Sequence, residues 1–203
     1  MSKEKTKLEL TKAFPDYYSA RAAPTLVTFG PLPYLTIGGQ GEPEGVAYTA
    51  ALSKLYGAAY RIKGLCKGAG NDFTVPKLEG LWWVSEEEIL PPLSVPRDRW
   101  HWRLLLRLPD FVTEEQVQMA TSARVERSEQ DQQVRFETLD EGTCVQILHL
   151  GPYSKEPETL ETLDAFIERE GLQRNGLHHE IYLSDPRRSA PDRLRTILRQ
   201  PVR

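Results

Sequence analysis

The sequence predicts an α+β fold built as a pseudo-twofold duplication, and three observations point that way. Short segments alternate apolar and polar residues at period two. Two longer segments repeat apolar residues at steps of three and four. The order of elements also recurs, hairpin-helix-strand-strand twice, once in each half of the chain. Two such halves are expected to join their strands in one antiparallel sheet, with two helices on one side flanking a central groove and a linker helix between the halves.

Residues 1–23 read as a polar lead-in, with FPDYY at 14–18 able to pack as an aromatic clip against the body. Residues 24–203 read as one unit made of two repeats, about 24–109 and 132–203, joined by a helix at about 113–127. In the first repeat TLVTF, the turn Gly30-Pro31 and PYLTIGG read as a hairpin or bent strand pair. Gly38, Gly39 and Gly41 end that pair. A helix over about 46–67 follows, with Tyr48, Leu52, Leu55, Ala59, Ile62 and Cys66 on its buried face and Gly68 and Gly70 at its stop. KLEGLWWV reads as a strand, 85–98 as a Pro-rich connector and WHWRLLLRL at 100–108 as a second strand. Thr113-Glu-Glu-Gln116 has the form of a capping box and opens the joining helix.

The second repeat gives VRFETL and TCVQILHL as a hairpin around Asp140-Glu-Gly142. Pro157 opens a helix with Leu160, Leu163, Phe166 and Ile167 facing inward, and Gly171 closes it. A strand over about His178–Ser184, the turn Asp185-Pro186 and a final strand end the chain. Glu180 stands in the middle of that penultimate strand, on one face with Tyr182 and opposite Ile181 and Leu183. A carboxylate there must gain a partner or line a pocket, because desolvating it alone costs several kcal/mol or more. Aligning the halves by element sets Glu79-Gly-Leu-Trp-Trp83 opposite Glu180-Ile-Tyr-Leu-Ser184.

The expected groove then has Glu180 and Tyr182 on its floor and Glu79 and Trp83 on the corresponding strand. Trp102 comes from the next strand, and Tyr56 and Tyr60 from the flank of the first helix. Indoles there stack on a flat ligand, and a carboxylate among them attracts a cation or developing positive charge. Trp82 and Trp100 read as core; Trp83 and Trp102 read equally as core or as groove wall.

Several classes are set aside. The chain has 203 residues, enough for a sizeable core, and its formal net charge of -3 supplies no global basic field for nucleic acid or an anionic membrane. Its apolar runs fall short of the ~20 residues of a membrane span, and MSKEKTKLEL lacks the apolar core of a signal peptide. Cys66 and Cys144 are far apart, without CxxC spacing, which suits buried thiols and a cytoplasmic setting. His178 and His179 point to opposite faces and no HExxH occurs, so neither a metal nor another cofactor is expected. There is no GxSxG nucleophile motif. Gly39-Gln-Gly41 precedes a helix, but Glu42 and Glu44 repel phosphate and the lysine of a phosphate loop is missing. The expected partner is a small hydrophobic aromatic ligand.

LEGLWWV at 78–84, WHWRLLLRLPDFVT at 100–113, HLGPY at 149–153 and HHEIYLSDPRRSAPDRLRTILRQPV at 178–202 carry a resemblance. From about Lys12 onward the chain resembles the GyrI-like proteins, stand-alone relatives of the effector-binding domains of multidrug-sensing transcription regulators. The resemblance implies a pair of β/α repeats and a groove with aromatic walls and a central carboxylate, at the position of Glu180. Regulators of this kind carry a helix-turn-helix, for which the roughly 24 residues before the first strand are too few. Members sharing the LEGLWW and HHEIYLSDPRR motifs look like cyclopropanoid cyclopropyl hydrolases, which open the strained ring of DNA-alkylating compounds. That likeness implies Glu180 as general base or water-orienting group and Tyr182, or another groove tyrosine such as Tyr60, as hydrogen-bond donor to the substrate carbonyl. A non-catalytic drug binder and a gyrase-inhibitor-like interaction module are the other functions it allows.

Overall fold

The computed structural model describes residues 7–85, 94–121 and 133–203. Eight strands form one antiparallel sheet: β1 (Thr25–Phe29), β2 (Leu32–Gln40), β3 (Leu78–Trp83), β4 (His101–Arg107), β5 (Arg135–Leu139), β6 (Gly142–Leu150), β7 (His178–Tyr182) and β8 (Arg195–Pro201). Their order across the sheet is β1-β6-β8-β7-β3-β4-β2-β5. The helices are α1 (Leu10–Ala13), α2 (Val46–Gly68), α3 (Glu114–Thr121) and α4 (Glu156–Arg169). The α+β class and the duplicated antiparallel sheet are as the sequence predicts. The expected joining helix is described to Thr121, and its continuation toward Arg127, like residues 86–93 of the Pro-rich connector, lies outside the described residues.

The expected hairpins are corrected. β1 pairs with β6, and β5 pairs with β2, so each half lends its first strand to the other. The turn signals at Gly30-Pro31 and Asp140-Glu141 are real, but they carry the chain from one edge of the sheet toward the other. Two residues between strands hold their ends within about 11 Å, since successive Cα atoms are 3.8 Å apart. The edge strand β1 therefore ends close to β2, next to the far edge, and the sheet must curl into a half-barrel to allow it.

The ladders fix the symmetry. β2·β4·β3 is repeated by β6·β8·β7, and superposing the registers makes Glu79 the counterpart of His179, Gly80 of Glu180 and Trp82 of Tyr182. Gly80 and Glu180 also pair directly across β3 and β7, so the pseudo-twofold axis passes through that pair. The element-by-element alignment is thus one residue out of register, and in a strand one residue exchanges the faces.

On the outer face, α2 lays Tyr48, Ala51, Leu55, Ala58, Ala59, Ile62 and Cys66 on β2 and β4, with α3 beside it. α4 covers Val145, Ile147 and Leu198 through Leu163 and Ile167. A buried Leu or Ile contributes about 1.5–3 kcal/mol, so these two stripes fix both helices. The inner face of the curl is filled by the N-terminal segment: Leu10, Tyr17 and Tyr18 pack on Tyr34, Leu81, Leu105, Ile181 and Ile197. The aromatic clip is therefore real, and it lies on the face away from α2 and α4. Both cysteines are buried.

Candidate functional site

A cleft of about 1750 Å³ opens on the outer face. Its floor is Trp82, His178, Glu180 and Tyr182; α2 contributes Tyr48, Leu52, Tyr56 and Tyr60, and α4 contributes Glu156, Leu160 and Asp164. Tyr153, Trp100 and the turn at Asp185–Arg188 complete its walls.

Glu180 sits at the centre because its counterpart is glycine. A Cβ on Gly80 would lie 2.9 Å from the Trp82 indole nitrogen and 3.2 Å from the Tyr182 hydroxyl. With no side chain there, those two groups occupy the axis and form a relay: Trp82 Nε1 donates to Tyr182 Oη at 3.0 Å, and Tyr182 donates to Glu180 Oε2 at 2.7 Å. His178 Nε2 stands 3.5 Å from the other oxygen of Glu180. The Glu180 side chain keeps 14% of its exposure, so the carboxylate is held in place and still open to the cleft. Around it the rings are fixed by each other. Tyr48 stacks on Trp82 at 6.1 Å, Trp100 meets Trp82 edge-on at 6.2 Å, and Tyr153 meets Tyr182 edge-on at 5.9 Å.

The second acid of the cleft is Glu156, the first residue of α4. It is 9% exposed and its Oε1 has no hydrogen-bond partner among the described residues. Burial first, and then the charge of Glu180, push its carboxyl up to about 9, against the opposing pull of Arg97. That shift favours the protonated form, which can donate a hydrogen bond. Tyr182 is raised well above its ordinary value by burial and by Glu180, and Tyr153 is pushed up to about 12 by burial and by Glu156. Both remain phenols. The cleft thus combines a positioned carboxylate, a carboxylic acid and several phenols within aromatic walls.

Of the residues expected from the sequence, Glu180, Tyr182, Tyr56 and Tyr60 meet at this cleft. Tyr60 is a rim residue, 61% exposed. Glu79 is not part of it. Gly80, not Glu79, is opposite Glu180, so Glu79 points to the inner face, where it is fully buried. There it accepts hydrogen bonds from Tyr17 at 2.5 Å and from His179 Nε2 at 3.0 Å. Trp83 touches the margin of the cleft, but its ring is on the same inner face and stacks on His101 at 5.5 Å. Trp102 is core: it is fully buried under Tyr48, and its ring lies where a Cβ on Gly39 would approach to 2.3 Å. The indoles at the cleft are instead Trp82 and Trp100, which the sequence places in the core.

Glu156, Tyr153, Tyr48 and His178 are further cleft residues not read as site residues from the sequence. Tyr153 falls within the HLGPY motif, and Glu156 three residues later opens a helix, so that motif was the available signal. Among the described residues no group of His, Cys, Asp or Glu could hold a metal ion, and no helix is long and apolar enough to cross a membrane.

The family model of the GyrI-like small molecule binding domain matches residues 109–203. The structure of an uncharacterized conserved protein from Listeria innocua is 36% identical, with a TM-score of 0.85, covering 97% of this chain and all (100%) of that one. A structure described as a hydrolase from Listeria innocua is 35% identical, with a TM-score of 0.81 and coverage of 97% and 100%. The EcmrR C-terminal domain, at 12% identity, a TM-score of 0.55 and coverage of 89% and 96%, shares the fold. A search of curated proteins found no match. With a matching family model, whole-length relatives above 30% identity and a duplicated sheet around an aromatic cleft, the chain belongs to the GyrI-like family of small-molecule-binding domains.

Proposed function

We propose that the protein binds flat, hydrophobic aromatic molecules that are electrophilic or cationic, and that it hydrolyses the cyclopropane ring of DNA-alkylating cyclopropanoid compounds, a detoxification. The observation that carries this reading is Glu180 at the centre of an open aromatic cleft, fixed by Tyr182, with the buried carboxyl of Glu156 lining the same cleft. A relative from Listeria innocua described as a hydrolase supports catalysis over binding alone.

In this scheme the substrate lies against Trp82 and Tyr48, whose rings offer a stacked apolar surface. Glu180 takes a proton from water as its oxygen bonds to the ring carbon. The strained carbon–carbon bond breaks, and its electron pair passes through the conjugated system to the carbonyl oxygen, which becomes a phenolate. Glu156 or a cleft phenol donates a hydrogen bond to that oxygen, and a proton ends there as phenol. Tyr182 is engaged with Glu180 and acts first by orienting it, so Glu156 and Tyr153 take the donor role that the family likeness implied for Tyr182 or Tyr60.

The test is incubation with a cyclopropane-bearing alkylator and mass spectrometry of the small molecule. Ring-opened product carrying one added water, accumulating beyond one equivalent of protein, is the expected result. A non-catalytic binder, which the small-molecule-binding family assignment favours as the alternative, gives saturable tryptophan quenching and no product. A gyrase-inhibitor-like interaction module predicts that filling the cleft leaves partner binding unchanged.

A further inference from the structure

The loop from Gly41 to Gly45, between β2 and α2, contains a non-glycine residue in the left-handed region. Glu44 has a φ of 66°, and among the described residues it is the one non-glycine with positive φ. An L-residue in this conformation is strained, and such outliers gather where function holds them. Glycine removes that strain, and the same loop uses it at Gly41, where φ is 125°. A glutamate in such a position therefore suggests a job for its side chain.

The surroundings say which job. Glu44 lines the cleft at its mouth, exposed, and it has no ion-pair partner among the described residues. Its backbone is tied down, since its carbonyl accepts a hydrogen bond from Thr49 Oγ1 at 3.3 Å and Gly45 N bonds to Glu42 O at 3.1 Å. Tyr48 on α2 and Tyr153 before α4 are raised by burial first, then by Glu180 and by Glu156 respectively, and the charge of Glu44 adds a smaller share to each, so it lies within electrostatic reach of both walls. Deeper in, the Oε1 of Glu156 is buried and has no partner among the described residues, which leaves it available to a ligand group. The acidic residues of the cleft thus include Glu44 at its mouth and Glu180 on its floor.

We propose that Glu44 is a specificity-determining residue that holds the positively charged group of an aromatic ligand at the mouth of the cleft while its rings lie on Tyr48 and Trp82. The assignment rests on the ligand-binding reading above. It deepens that reading by naming a ligand with a flat apolar body and a cationic group at one end.

Calorimetry with two probes of the same shape tests it: N-methylquinolinium, a cation, and N-methylquinolone, which is uncharged. Glu44→Gln is expected to weaken the cation roughly three- to tenfold at low salt, to leave the neutral probe unchanged, and to lose its effect in 1 M salt, as an exposed charge is screened. Glu44→Gly is expected to lose the cation equally. It should nevertheless melt about 2–4 °C above Glu44→Gln, because both lack the charge and only glycine relieves the backbone. Unchanged cation binding in Glu44→Gln, equal loss of both probes, or a glycine variant no more stable than the glutamine variant overturns the assignment. Failure of the wild type to bind either probe overturns the cleft reading beneath it.

Discussion

Glu79 and Glu180 lie one register step apart on two paired strands, yet they live in opposite surroundings. On the outer face Glu180 has a glycine as its symmetry counterpart, so there is room around it, and its hydrogen-bond partner is a neutral phenol. On the inner face the counterpart of Glu79 is His179, and the two bond to each other. That histidine also holds Glu141 at 2.9 Å; Arg199 reaches Glu141 at 3.5 Å and lies 4.4 Å from the ring of Tyr17. The N-terminal segment seals this network, whereas the outer face stays open between α2 and α4. An acid in a sheet becomes structural or chemical according to what its counterpart and its cover provide.

The sharpest way to break the comparison is to neutralise each acid in turn. Glu180→Gln is expected to lower turnover ~10²–10⁴-fold while ligand affinity and melting temperature stay close to wild type. Glu79→Gln should do the reverse, costing about 3 kcal/mol of stability by upsetting a buried pair, with turnover per folded molecule retained. Urea unfolding and steady-state kinetics on both variants decide it, and the same pattern in the two would erase the distinction.

A pH series separates the faces next. The inner network holds His179 at about 9: burial lowers it, but Glu141 and Glu79 outweigh that. A histidine raised in the fold contributes stability that is complete below its unfolded value near 6.5 and is lost as pH rises through 9. Glu141 is opposed by burial yet pulled down to about 2 by His179 and Arg199, so its contribution is present above the unfolded value and lost on acidification toward 2. On the outer face Glu156 has a raised carboxyl, so the fold binds the extra proton and stability again falls as pH climbs from about 4.5 to 9. Stability should therefore decline from pH 6.5 to 9, and Glu156→Gln should remove the outer-face share of that decline. Thermal melts across this range are the measurement; identical slopes in the variant and the wild type would contradict the neutral Glu156.

Smaller effects sharpen the picture. Gly80→Ala places a methyl against Trp82 and Tyr182 and should cost about 1–3 kcal/mol while disturbing the Glu180 relay. Tyr60→Phe, at the exposed rim, should change stability by less than about 0.5 kcal/mol and ligand affinity only slightly.

The comparison also explains what the sequence made legible. The period-three-and-four stripe of α2, the strand containing Glu180 and the repeated order of elements are local patterns, and local patterns can be read without coordinates. Register is not local. Whether Glu79 or Gly80 faces Glu180 depends on pairing between residues a hundred positions apart, and a slip of one residue moved Glu79 and Trp83 to the wrong face while hiding Trp82. The hairpins failed for a related reason: a two-residue turn states that the chain reverses, not which strand its neighbour will pair with. Glu156 was hidden because a glutamate at a helix start is ordinary, and only the cover above it makes it neutral.

The exchange of β1 and β5 has a consequence for assembly. Each half completes its sheet with a strand borrowed from the other, the arrangement seen when two identical subunits swap an arm. A chain severed between α3 and β5 should accordingly yield two pieces that stay unstructured apart and recover the fold when mixed. The ligand cleft, which straddles the seam, would report their reunion.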